Sequence, residues 1–129
     1  MKELLKNYSC VIVKSGEVIH SVNGKGIRPL LDLYRNNKSD LFESYVADKV
    51  IGKAAASFLV CAKVKEVYGE IMSKYALELL NRYEIKTEYG TLVDEIRNMT
   101  NTGMCPIENL VKDINNPEDA VNAVVQHLL

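Results

Sequence analysis

A chain of 129 residues is long enough to bury one core and short of two. Sixteen basic against seventeen acidic residues leave no field to attract nucleic acid or an anionic membrane, and polar residues interrupt every apolar run before it reaches membrane-spanning length. Cys10, Cys61 and Cys105 have neither metal-ligand nor disulfide-framework spacing, and MKELLKNYSC is not a signal peptide, so a reduced cytoplasmic protein is expected.

Lys2–Lys6 suits a short helix. Tyr8–Val13 and Val18–Val22 are rich in β-branched and aromatic residues, and Lys14-Ser15-Gly16-Glu17 between them supplies a tight turn, so a hairpin is expected. Asn23-Gly24-Lys25-Gly26 breaks the second strand. Ile27, Leu30, Leu31 and Tyr34 then recur at helical spacing, with Pro29 confined to the first turn. Asn36–Asp40 reads as a polar loop and Glu43–Ala47 as extended. Asp48 reads as the N-cap of the most apolar helix in the chain. From Ala54 to Ala62 only Ser57 is polar, which puts this helix at the centre of the domain, and Ala54-Ala55-Ala56 implies a close neighbour.

Val64–Met72 reads as a strand, Lys74–Tyr83 as a helix and Ile85–Tyr89 as a short strand ended by Gly90. Leu92–Met99 stays open, with a short helix as one reading. In Asn101-Thr102-Gly103-Met104-Cys105-Pro106-Ile107-Glu108, Pro106 suits the first position of a helix running to about Ile114. Cys105 then stands at the N-cap and Glu108 at the third helical position, a capping box with cysteine in place of serine or threonine. Asn116 and Pro117 open a last helix with Val121, Val124, Val125 and Leu128 as one stripe. Strand–helix–strand units imply parallel pairing and the hairpin implies an antiparallel part. The expected fold is a three-layer α/β/α sandwich with a mixed sheet, residues 1–129 forming one domain.

The segments GIRPLL (26–31), ADKVIGKAAA (47–56) and TGMCPIE (102–108), in this order, resemble an uncharacterised family within the cytidine deaminase-like superfamily. The resemblance covers nearly the whole chain and implies a mixed sheet with the central helix against it. In the zinc deaminases of that superfamily this helix opens with His-Ala-Glu or Cys-Ala-Glu, and a later helix opens with Pro-Cys-x-x-Cys. Here the two places hold Gly52-Lys53-Ala54-Ala55 and Met72-Ser73-Lys74-Tyr75-Ala76. Cys105-Pro106-Ile107-Glu108 comes one strand later, has the proline on the other side and ends in glutamate. A zinc site needs at least three converging protein ligands. Zinc-dependent deamination is therefore not expected, nor is any metal or cofactor.

A thiol at a helix N-terminus is favoured in its nucleophilic form, which makes Cys105 a candidate catalytic residue. Its partners would be Lys53 and Asp48, since His20 falls in the hairpin and His127 in the last turn of the chain. The competing reading is a packed cysteine, a common occupant of protein interiors. Lys25, Gly26 and Arg28 lie at a strand-to-helix turn that could hold a phosphate or carboxylate, although a plain turn explains them as well. Lys49, Gly52, Thr102, Gly103 and Glu108 complete the candidate ligand-binding set. The expected function is binding of a small anionic or nucleotide-like molecule by a deaminase-like fold without zinc. The alternatives are a metal-independent enzyme with Cys105 as nucleophile, and a homo-oligomeric scaffold or regulatory subunit. No nucleic-acid or membrane partner is expected, and self-association is.

Overall fold

The first two strands, β1 (Cys10–Lys14) and β2 (Glu17–Val22), pair as a hairpin in a computed structural model that describes residues 2–98 and 103–129. Ser15 (φ 55°) and Gly16 (φ 79°) take the two left-handed positions of its turn, the geometry that matches strand twist. Side chains of β1 alternate between two interiors. Cys10 and Ile12 enter the main core, whereas Val11 and Val13 meet Leu5 from an N-terminal 310 helix, Lys2–Lys6.

Strand β3 (Tyr45–Ile51) pairs antiparallel with the other side of β1. Strands β4 (Glu66–Ser73) and β5 (Lys86–Val93) continue in parallel, giving the order β2-β1-β3-β4-β5. Helix α3 (Lys53–Ala62) crosses from β3 to β4 and α4 (Lys74–Arg82) from β4 to β5, as parallel pairs require. Helices α1 (Arg28–Asn36), α2 (Lys38–Leu41), α5 (Pro106–Val111) and α6 (Pro117–Leu128) complete the set, and α3 packs against all five of the others. Ala54, Ala55, Ala56, Phe58 and Leu59 are buried, so this helix occupies the centre that its composition implies. The mixed α/β sheet follows from the element order. Its layers are unequal: the six helices share one core on one face, and the 310 helix covers Val11, Val13 and Ala47 on the other.

Several boundaries depart from the sequence reading for physical reasons. The central helix opens at Lys53 with Gly52 as N-cap; Asp48 does not cap it but sits within β3, opposite Cys10 and Gly69. Pairing of β3 on both edges, with a run of apolar residues to bury, outweighs the capping preference of one aspartate. Lys38–Leu41 is a short helix, not a loop, and carries Leu41 into the core. Gly90 does not end β5. A Cβ there would lie 2.8 Å from the Glu70 carbonyl oxygen, so the glycine permits close strand approach. Leu92 and Val93 extend β5, Arg97 bridges Met104, and Met99 lies outside the described residues. Helix α5 stops at Val111, where the Ile114 N–H turns back to the Val111 carbonyl.

Helices α3 and α4 end in the same way. Lys63 (φ 58°) and Glu84 (φ 60°) are left-handed, and the Val64 and Ile85 N–H groups donate to Leu59 and Leu80 carbonyls at 3.3 and 3.0 Å. This is the Schellman ending that usually takes glycine. Glu84→Gly is expected to relieve the left-handed strain and raise stability by about 0.5–1 kcal/mol, net of the added chain entropy. A thermal melt of the variant at or below the parent midpoint would contradict this.

Candidate functional site

The carboxyl ends of parallel strands are where open α/β sheets usually place ligands, and here β3 carries Asp48 at its middle, with Val50 and Gly52 leading on to that end. The Asp48 carboxyl accepts the Val50 N–H at 3.2 Å and, from behind, the thiol of Cys10 across the β1–β3 pair. Burial pushes its pKa from 3.8 up to about 7, with the Val50 and Lys49 N–H groups and the Cys10 thiol acting the other way. The buried Cys10 thiol is raised well above its ordinary value by burial first and by Asp48 second. Cys10 is the partner that sequence reasoning missed. Its one signal is the inward alternation of β1, shared with every other core residue of that strand.

Glu108 does not fold back on its own helix. Cys105 is the N-cap of α5 but makes no side-chain capping bond. The Glu108 carboxylate reaches instead to the start of α3, accepting the Lys53 N–H at 2.6 Å and the Ala54 N–H at 2.9 Å. It is 7% exposed. Burial raises its pKa, opposed by those two N–H groups. Gly52 makes this possible, because a Cβ there would collide with the Glu108 carboxylate. The first turn of the central helix is thus capped by a side chain from a different helix.

A small cleft of about 60 Å³ opens where these elements meet. Among the described residues its polar lining is Asp48, Cys105 and Glu108, and its walls are Gly26, Ile27, Val50, Gly52, Ala54, Ala55, Ile96 and Ile107. By volume that is room for about two water molecules. The three segments singled out by sequence therefore meet here: Gly26 and Ile27 from the first, Asp48, Val50, Gly52, Ala54 and Ala55 from the second, and Cys105, Ile107 and Glu108 from the third.

The candidate cations lie elsewhere. Lys53 Nζ donates to the Lys112 carbonyl at 2.8 Å, and partial burial lowers its pKa against the pull of Asp113 and Glu108. Arg28 Nη2 donates to the Leu128 carbonyl at 3.1 Å. Neither these two nor Lys25, Lys49 or Gly103 lines the cleft. Thr102 lies outside the described residues.

A larger groove of about 820 Å³ lies at the other end of α3, between Phe42, Cys61, Lys63, Tyr83, Glu84 and Pro117. It faces the amino ends of the parallel strands and is an open depression with mixed charges on its rim. The smaller cleft, by contrast, has convergent polar groups and lies towards the carboxyl ends of the strands.

The backbone N–H groups of Lys53 and Ala54 are taken by Glu108, and the Ser73 hydroxyl accepts the Ala76 N–H at 3.1 Å to cap α4. Among the described residues no three His, Cys, Asp or Glu side chains converge to hold a metal ion. Nor, among them, is any helix long and apolar enough to cross a membrane.

Comparison with known proteins agrees with this geometry at the level of fold. The structure of a DUF1893 family protein, TM1506, from Thermotoga maritima is 31% identical, with a TM-score of 0.88 over 95% of this chain and 82% of that one. Two forms of RibD from Acinetobacter baumannii superpose with TM-scores of 0.50. They are 21% and 19% identical over 64% and 95% of this chain, and 28% and 37% of theirs, so the likeness is one of fold alone. Among curated proteins none matches. Residues 1–128 match the family described as TM1506, domain of unknown function DUF1893, and the chain belongs to that family.

Proposed function

We propose that this protein is a binding domain whose cleft receives the hydrogen-bond-donating edge of a small nitrogen-containing molecule, nucleobase-like in character. The observation that carries this reading is the meeting of three distant segments around Asp48, Cys105 and Glu108 at the start of the central helix. The polar lining offers a carboxyl and a carboxylate as acceptors, and none of its described residues is lysine, arginine or histidine. Glu108 already satisfies the N–H groups that would otherwise draw an anion, so a neutral donor suits the cleft better than a phosphate. The cleft admits an edge or an amino group, with the rest of the molecule outside. Among the described residues the same lining gives Cys105 no lysine, arginine or histidine neighbour to stabilise a thiolate, which favours binding over nucleophilic catalysis.

Titration calorimetry with adenine, guanine, cytosine, benzamidine, inorganic phosphate and acetate tests the reading. Binding is expected within the nitrogen bases or the amidine, weakened at least tenfold by Asp48→Asn and by Ala55→Leu, which fills the cleft. Phosphate or acetate binding in preference to all the bases, or base binding indifferent to both substitutions, would overturn it.

A further inference from the structure

The sheet has two edges, β2 and β5, and they are not protected alike. The register of β2 against β1 shifts between Ile12 and Val13, and a bulge of this kind twists an edge away from outside partners. On β2, His20 is also tied to Asp40 at 2.9 Å. Among the described residues strand β5 has none of these devices. Its eight residues run in unbroken parallel register along β4, without proline, and each is partly or fully exposed. Its one lysine, Lys86, stands at the first position of the strand and reaches Glu66 on β4 at 3.7 Å, so it leaves the middle of the edge uncharged by lysine. Tyr89, at the middle, is 43% exposed.

A long, regular, unguarded edge is a template for strand addition. The sequence of β5 says what can add to it. Thr87-Glu88-Tyr89-Gly90-Thr91 reads the same in both directions at its odd positions, threonine, tyrosine, threonine. A two-fold axis at Tyr89 pairs an antiparallel copy so that Tyr89 meets Tyr89 and each Thr87 meets Thr91, all on one face. On the other face Glu88 meets Gly90 and Lys86 meets Leu92, with no like charges directly opposite. Moving the axis to Glu88 would set that carboxylate against its own copy. We propose that β5 is a self-association edge, where two copies of this chain join antiparallel about Tyr89 into one continuous sheet. This interface is separate from the cleft and does not depend on its ligand. Strand pairing alone buries modest area, so the dimer is concentration-dependent.

The test combines light scattering over a wide concentration range with amide exchange. A rise from monomer to dimer mass is expected, with slower exchange in Lys86–Val93 at high concentration. Tyr89→Lys places two ammonium groups against each other and is expected to raise the dissociation constant at least tenfold, while the dilute monomer melts near the parent temperature. Thr87→Lys provides a second disruption if Tyr89→Lys folds poorly. Monomer mass at every concentration would overturn the proposal. So would a dimer that survives a folded lysine variant with exchange in β5 unaltered.

Discussion

Gly52→Ala is expected to lower the unfolding free energy by about 3 kcal/mol, an overpacking cost at the upper end for one added methyl. The backbone gives no reason for it: φ −102° and ψ −173° are extended and open to alanine. The cost comes from the Glu108 carboxylate, which occupies the space of the missing side chain. An alanine must push it away from the Lys53 and Ala54 N–H groups, and hydrogen bonds to a charged group contribute about 1.5–3 kcal/mol each net of exchange with water, less where water can reach the freed groups. Glu108→Ala alone is expected to cost about 2–3 kcal/mol as the lost cap. In that background Gly52→Ala finds room, and its further cost should fall below about 1 kcal/mol. Urea unfolding of the parent, the two single variants and the double variant closes a mutant cycle. Additive losses would show that the two positions do not share one interaction.

Asp48→Asn is expected to stabilise the protein at pH 8 and leave it nearly unchanged at pH 4. The folded-state pKa of about 7 lies above the ordinary 3.8, so the folded state holds a proton that the unfolded state releases. Stability from this group is complete below about 4, falls as pH rises towards 7, and stays low above that. Between 3.8 and about 7 the linkage amounts to about 4 kcal/mol. Asp48 keeps partial access to water through the cleft, so about 2 kcal/mol is the expected difference at pH 8. Asparagine retains an acceptor for the Val50 N–H and carries no charge to bury. Denaturation midpoints measured from pH 4 to pH 8 should therefore diverge between parent and variant. Parallel profiles would show that Asp48 titrates in its ordinary range.

Much of the fold was legible because its signals are local. Asn116-Pro117 announces α6, and the Asn116 side chain accepts the Glu118 and Asp119 N–H groups at 2.8 and 3.2 Å. The hairpin, the crossover helices and the mixed sheet follow from short-range composition in the same way. Asp48 was misplaced because an aspartate before an apolar run is a local helix signal, while its strand position depends on two neighbours distant in sequence. Glu108 was legible as a capping residue but not as the cap of α3. Only the bare Gly52, a helix start with no capping side chain of its own, hinted that a partner must come from elsewhere. The basic residues misled for a related reason: Arg28 and Lys53 are long enough to satisfy carbonyls at Leu128 and Lys112, away from the cleft.

The carboxylate from α5 has a consequence for the order in which the chain can fold. Its two hydrogen bonds join residues 55 and 54 positions apart. The opening turn of the central helix is therefore left with bare amides until the last quarter of the chain has docked. Closing so long a loop is entropically slow, and the nucleus for folding should lie in the hydrophobic middle of α3 with β3 and β4, its first turn joining late. Amides of Lys53 and Ala54 then open whenever α5 detaches, making the most buried helix of the protein loosest at the end that faces the cleft.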